Sequence, residues 1–97
     1  MLMTRQNLRE KRQVIMEIAR RYGASDIRII GSVARGEATE QSDLDLIVRF
    51  APGRSLLDHG GLVMDLRELL GMRVDVIDEE AMRPRFRENV MAEAIPL

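Results

Sequence analysis

The sequence predicts a small α/β (α+β) fold, a mixed sheet of about three strands flanked by helices. Three observations predict it. Short β-branched or alternating runs recur at residues 27–30, 43–50 and 73–78. Segments with apolar residues at helical spacing lie before, between and after them. The resulting order is helix, strand, loop, strand, helix, strand, helix. Its strand–helix–strand unit over residues 43–78 should run parallel through a right-handed crossover. The short connection before that unit permits an antiparallel pairing.

Residues 4–22 read as one helix. Thr4 can cap it, and Leu8, Ile15, Ile18, Ala19 and Tyr22 fall on one stripe, while Arg9, Glu10, Arg12, Glu17 and Arg20 lie mostly elsewhere. Gly23 follows, where a left-handed cap needs no Cβ. Ile-Arg-Ile-Ile at 27–30 is a strand ended by Gly31 and Ser32. Residues 33–42 are small and polar and predict a turn or short helix followed by a loop. Residues 43–50 begin with strict alternation and form a second strand, broken by Pro52 and Gly53. Ser55 caps the next helix with Asp58 at the capping-box position. That helix carries Leu56, Leu57, Leu62, Val63, Leu66, Leu69 and Leu70, and Gly71 closes it. Gly60 and Gly61 inside it each cost ~1 kcal/mol against Ala, which a tight contact with the sheet would explain. Residues 73–78 are the third strand. Residues 79–92 are helical with an interruption near Pro84, and the Ala-Ile-Pro-Leu tail is extended.

Ninety-seven residues suit a single domain, 1–97. Fifteen basic and sixteen acidic residues give a net charge of -1, so strong nucleic-acid binding is not expected. Aromatic residues are only 3%, which argues against a base-stacking surface. Cysteine is absent, which excludes disulfides and thiolate metal sites and fits a reducing cytoplasm. No apolar run reaches the ~18–20 residues of a membrane span, and Met-Leu-Met-Thr-Arg-Gln lacks a signal-peptide core. The seven methionines suit gaps that aromatic side chains would otherwise fill.

The chemistry concentrates in Gly31-Ser32-Val33-Ala34-Arg35-Gly36 and Ser42-Asp43-Leu44-Asp45-Leu46. Alternate residues of a strand share a face, so Asp43 and Asp45 point the same way, with Cα atoms about 6.6 Å apart. Leu44, Leu46 and Val48 take the core side. Adjacent carboxylates repel, and a divalent cation removes the conflict. Magnesium accepts one or two carboxylates plus substrate phosphates. Asp75 alternates with Val74 and Val76 and joins the same face if those valines join the core. Three carboxylates could hold two metals ~3.5–4 Å apart, as in-line phosphoryl-type transfer requires. Gly31 lets backbone amides approach an anion, and Ser32 adds a hydroxyl donor. A phosphate cradle beside a carboxylate site describes a site for a nucleoside triphosphate.

Gly-Ser, ten intervening residues and Asp-x-Asp resemble the signature of the nucleotidyltransferase superfamily that includes DNA polymerase β. With Arg35-Gly36, Ser42, Arg73-Val74-Asp75-Val76 and the Ala94-Ile95-Pro96-Leu97 ending, the chain resembles the minimal nucleotidyltransferase (MNT) family over nearly its whole length. That resemblance implies a polymerase β-like nucleotidyltransferase fold and an antitoxin partnered with a HEPN-family RNase toxin in a hetero-oligomer. It implies ATP as substrate, with AMP transferred to a hydroxyl, expected on a tyrosine, of the toxin. It implies that Asp43 and Asp45 bind two magnesium ions. Asp75 would bind the catalytic metal and help deprotonate the acceptor. Gly31 and Ser32 would hold the β- and γ-phosphates. The alternative is an antitoxin that inhibits its HEPN partner by binding alone.

Other residues have plainer readings. Arg35 and Ser42 are grouped with the nucleotide-binding residues. Arg35 stands open between phosphate, partner and a neighbouring acid, and Ser42 suits capping or orienting its loop. His59, the one histidine, has no matching ligand nearby. Asp78, Glu79 and Glu80 read as a strand end and helix start. Arg83, Arg85 and Arg87 read first as a solvated face, with partner or RNA contact as the other reading.

Overall fold

The computed structural model describes residues 2–97. In chain order it contains α1 (Arg5–Glu10), α2 (Arg12–Arg21), β1 (Ala24–Ile30), α3 (Gly31–Arg35), β2 (Leu44–Phe50), α4 (Leu56–Leu70), β3 (Val74–Asp78), a 3-10 turn (Glu79–Ala81), α5 (Pro84–Glu93) and β4 (Ile95–Pro96). The strands make one sheet in the order β3-β2-β1-β4. β2 and β3 run parallel across the α4 crossover, and β1 is antiparallel to both β2 and β4.

The caps act where the sequence places them. Thr4 and Asn7 form a reciprocal capping box at α1, and Ser55 and Asp58 form one at α4. Gly71 ends α4 in a left-handed conformation. The expected single helix over 4–22 is instead two, with Lys11 as a turn residue between them. The apolar stripe nonetheless runs on through Leu8, Ile15, Ile18 and Ala19, all buried.

Two strand expectations need correction. β1 starts three residues earlier than the Ile27–Ile30 run, because a register irregularity between Ser25 and Arg28 breaks the alternation. Asp26 takes a φ of 51° there. Such a bulge lets Ala24, Ile27 and Ile29 share the buried face despite their odd spacing. The extended tail is itself a strand, since Ile95 pairs with Ile29 and Pro96 with Arg28. The sheet therefore has four strands, not three.

The core joins Leu8, Ile15 and Ile18 to Ile29, Leu44, Leu46, Val48, Leu62, Leu66, Val74 and Val76. It occupies one face of the sheet, under α2 and α4. Alternation turns Arg28, Asp45, Ile47, Arg49 and Asp75 to the other face. Gly61 is explained by a contact between helices rather than with the sheet. A Cβ there would collide with the Tyr22 ring, whereas one at Gly60 would meet open space. The Tyr22 hydroxyl continues past Gly61 to donate to Asp65 Oδ2 at 2.6 Å. This bond and burial, in that order, raise the Tyr22 pKa.

β3 is an edge strand. Its Arg73-side carbonyl faces β2, accepting from the Leu44 amide at 3.0 Å. Val74 and Val76 therefore turn their carbonyls outward, and α4 covers both. Arg67 Nε donates to Val74 O at 3.1 Å, and His59 Nε2 bonds Val76 O at 2.7 Å. The carbonyl can only accept, so His59 carries its proton on Nε2. Its ring also lies against Phe50, with centroids 5.3 Å apart. No helix among the described residues is long and apolar enough to cross a membrane.

Candidate active site

The parallel pairing of β2 with β3 sets Asp45 directly against Asp75. Register partners on adjacent strands lie about 4.8 Å apart, and both residues turn away from the core. Asp43 lies one residue before β2 rather than in it. It still adds its charge to the group. Burial first, then the charges of Asp75 and Asp43, raise the Asp45 pKa above its ordinary value of 3.8.

Across β2, Asp45 pairs with Ile30, the last residue of β1. Gly31 is thereby delivered to the Asp45 carboxylate. Its φ is +73°, and a Cβ on it would stand 2.8 Å from Asp45 Oδ2. Both the backbone conformation and the space demand glycine. Ser32 follows within α3, which begins at Gly31 rather than at residue 33 as expected.

Two arginines reach the carboxylates. Arg67 Nη2 lies 3.5 Å from Asp75 Oδ1, and Arg73 Nε lies 3.9 Å from Asp43 Oδ2. Asp45 has no such partner among the described residues, in keeping with its raised pKa. No three His, Cys, Asp or Glu side chains among the described residues close into a preformed metal site. Magnesium does not need one, because substrate phosphates complete its shell. Facing carboxylates with one partly buried and unpaired are a donor set that fits this ion.

The remaining expected residues sit nearby with other partners. Arg35 Nε pairs with Glu37 at 3.2 Å, and its Nη1 reaches Glu93 at 4.0 Å. Ser42 Oγ accepts from the Thr39 amide at 2.8 Å, and its own amide returns to Thr39 O at 3.1 Å. It fastens the loop that leads into Asp43. His59 takes the structural place described above.

The sequence reading missed Glu79, which is only 2% exposed. Arg49 Nη2 lies 2.9 Å from its Oε2, while Arg28 and Arg87 approach Oε1 at 3.4 and 3.3 Å. Burial pushes this carboxyl up, but the hydrogen bonds from Arg87 and Arg49 outweigh it and leave its pKa lowered. Arg87 is thus not simply part of a solvated cluster. A signal was available, since Arg28 and Arg49 both fall on the non-core side of predicted strands and need a partner there.

A nucleotidyltransferase domain model matches residues 11–97. A Methanocaldococcus jannaschii protein, provisionally named a protein adenylyltransferase, is 37% identical over 92% of this chain and 96% of its own length. The protein adenylyltransferase MntA of Thermococcus cleftensis is 37% identical over 81% of this chain and 80% of its own. A solved structure, provisionally assigned as a minimal nucleotidyltransferase, superposes with a TM-score of 0.88. It is 52% identical and is covered over 97%, against 98% of this chain. A toxin–antitoxin complex crystallised with AMP-PNP shares the fold, with a TM-score of 0.74 and 21% identity over 87% of this chain and 69% of the other. By sequence match and by fold, the chain belongs to the nucleotidyltransferase domain family.

Proposed function

We propose that the chain is a cytoplasmic antitoxin that transfers AMP from ATP to a hydroxyl, expected on a tyrosine, of a HEPN-family RNase toxin and so neutralises it. The observation that carries this reading is the register match of Asp45 with Asp75, with Gly31 held against Asp45. The names of its relatives support the reaction, and the fold it shares with a toxin–antitoxin complex supports the partner.

In this reading Gly31 and Ser32 hold the β- and γ-phosphates. Asp43, Asp45 and Asp75 would hold magnesium, which when bound would neutralise phosphate charge and align the reacting groups. Asp75 takes the acceptor proton. The acceptor oxygen forms a bond to the α-phosphorus, the bond from that phosphorus to the bridging oxygen breaks, and pyrophosphate leaves. Ser42 keeps the loop before Asp43 in place. Arg35 pairs with Glu37 and reaches Glu93 only at 4.0 Å, both contacts at the surface.

Intact mass spectrometry of the protein encoded beside this one, incubated with this chain, ATP and magnesium, tests the reading. The expected result is a gain of one or more adenylyl groups that disappears with Asp45→Asn. A stable, inhibited complex with no mass gain overturns transfer and leaves inhibition by binding. Magnesium with ATP should also stabilise the chain, by about 2.7 kcal/mol at a hundredfold excess over the dissociation constant. Asp43→Asn combined with Asp45→Asn should remove most of that gain in a thermal melt.

A further inference from the structure

Arg67 is set apart from the other cations of the site by how it is held. It stands in the last turn of α4, and its side chain passes the edge of β3. Nε is fixed on Val74 O at 3.1 Å, which leaves Nη2 on Asp75 Oδ1 at 3.5 Å. A guanidinium is planar, so a bond at Nε to a backbone atom sets the plane in which Nη2 lies. The carbonyl and the carboxylate belong to consecutive residues of one strand. The fork therefore measures Asp75 against its own backbone. Arg73 has no comparable brace: it lies 3.9 Å from Asp43 and is 69% exposed. Among the described residues, Asp75 Oδ2 has no ion-pair partner.

We propose that Arg67 is a positioning residue for Asp75, holding one carboxylate oxygen so that the other is presented to magnesium and the acceptor hydroxyl. The inference rests on the proposed nucleotidyltransferase reaction and deepens it. Asp75 lies on an edge strand beside two further carboxylates, and their repulsion would otherwise turn its side chain outward. A cation anchored to the Val74 carbonyl opposes that rotation without entering the site. Groups that orient metal ligands typically govern metal affinity by 10–100-fold. Arg67 would act in that range, through Asp75 and not by touching nucleotide.

The test is the magnesium concentration that gives half of the ATP-dependent rise in melting temperature of the full chain. Arg67→Met keeps the apolar stem and removes both bonds. Arg67→Gln keeps an N–H group for the edge and removes the charge. Each should raise the half-saturating magnesium concentration about tenfold or more. His59→Ala is the matched control, since His59 covers the neighbouring carbonyl of the same edge and touches no carboxylate. It should lower the metal-free melting temperature and leave the magnesium requirement unchanged. The proposal is overturned if both Arg67 variants bind magnesium as the wild type does. It is equally overturned if His59→Ala shifts the requirement as far as they do, because loosening of the edge would then be the cause. A wild type whose melting ignores magnesium and ATP overturns the nucleotide site itself, and this inference with it.

Discussion

Gly31 shows how much a single residue can fix. Its positive φ and its approach to Asp45 leave no room for any side chain. Gly31→Ala should shift the Asp45 carboxylate and reduce adenylyl transfer by at least tenfold, while circular dichroism shows an intact fold. Asp45 carries the opposite tension, since burial and like charges make its ionised form costly. Asp45→Asn should raise the melting temperature of the nucleotide-free protein by a few degrees while abolishing transfer, a familiar exchange of stability for function. The sign of the pH dependence follows from the raised value. Folded Asp45 binds its proton more readily than unfolded Asp45, so its stabilising share is complete below the ordinary aspartate range and is lost as pH rises through the folded value. Urea unfolding between pH 3 and 7 checks this. The difference between wild type and Asp45→Asn should widen with pH. Asp45, Asp75 and Gly31 were legible because alternation and spacing are local. Glu79 was only half legible: Arg28 and Arg49 call for a partner on their face, but nothing in the local sequence says whether Glu79 or Glu80 supplies it. Its burial is decided by arginines from β1, β2 and α5.

At the scale of the element, the paired glycines of α4 have unlike causes. Gly60→Ala enters open space and should stabilise the chain by up to ~1 kcal/mol. Gly61→Ala gains the same propensity but must displace the Tyr22 ring, and overpacking of this kind costs about 1–3 kcal/mol. Equilibrium unfolding of the two variants should therefore move in opposite directions, or Gly61→Ala should at best be neutral. Two glycines inside a helix stand out by propensity alone, but only the crossing of α2 and α4 says which one is required. The strand starts were harder to read for a different reason. The β1 irregularity at Asp26 erases the period-two pattern that reveals a strand. Leu56 and Leu57 show the converse. They continue an apolar pattern, yet they are 87% and 86% exposed, because the core meets α4 only from Leu62 onward.

Across the whole molecule, Glu79 ties β1, β2 and α5 to the end of β3, and α5 itself is a helix with no fully buried residue. The arginine partners of Glu79 are a third to a half exposed, and water can take over their charges. Glu79→Gln should therefore destabilise by about 1–2 kcal/mol at neutral pH, read from urea unfolding. Its carboxyl is held low, so its contribution is present above the ordinary glutamate range and lost as pH falls through the folded value. The two variants should thus respond oppositely to acid, with the penalty of Glu79→Gln shrinking as the medium becomes more acidic.

The covered edge of β3 bears on how such a small sheet stays solitary. An uncovered edge strand invites backbone pairing with another chain. Here the outward carbonyls of Val74 and Val76 are already satisfied by Arg67 and His59. A second chain adding along β3 would have to displace Arg67 and His59 from these carbonyls before it could pair there.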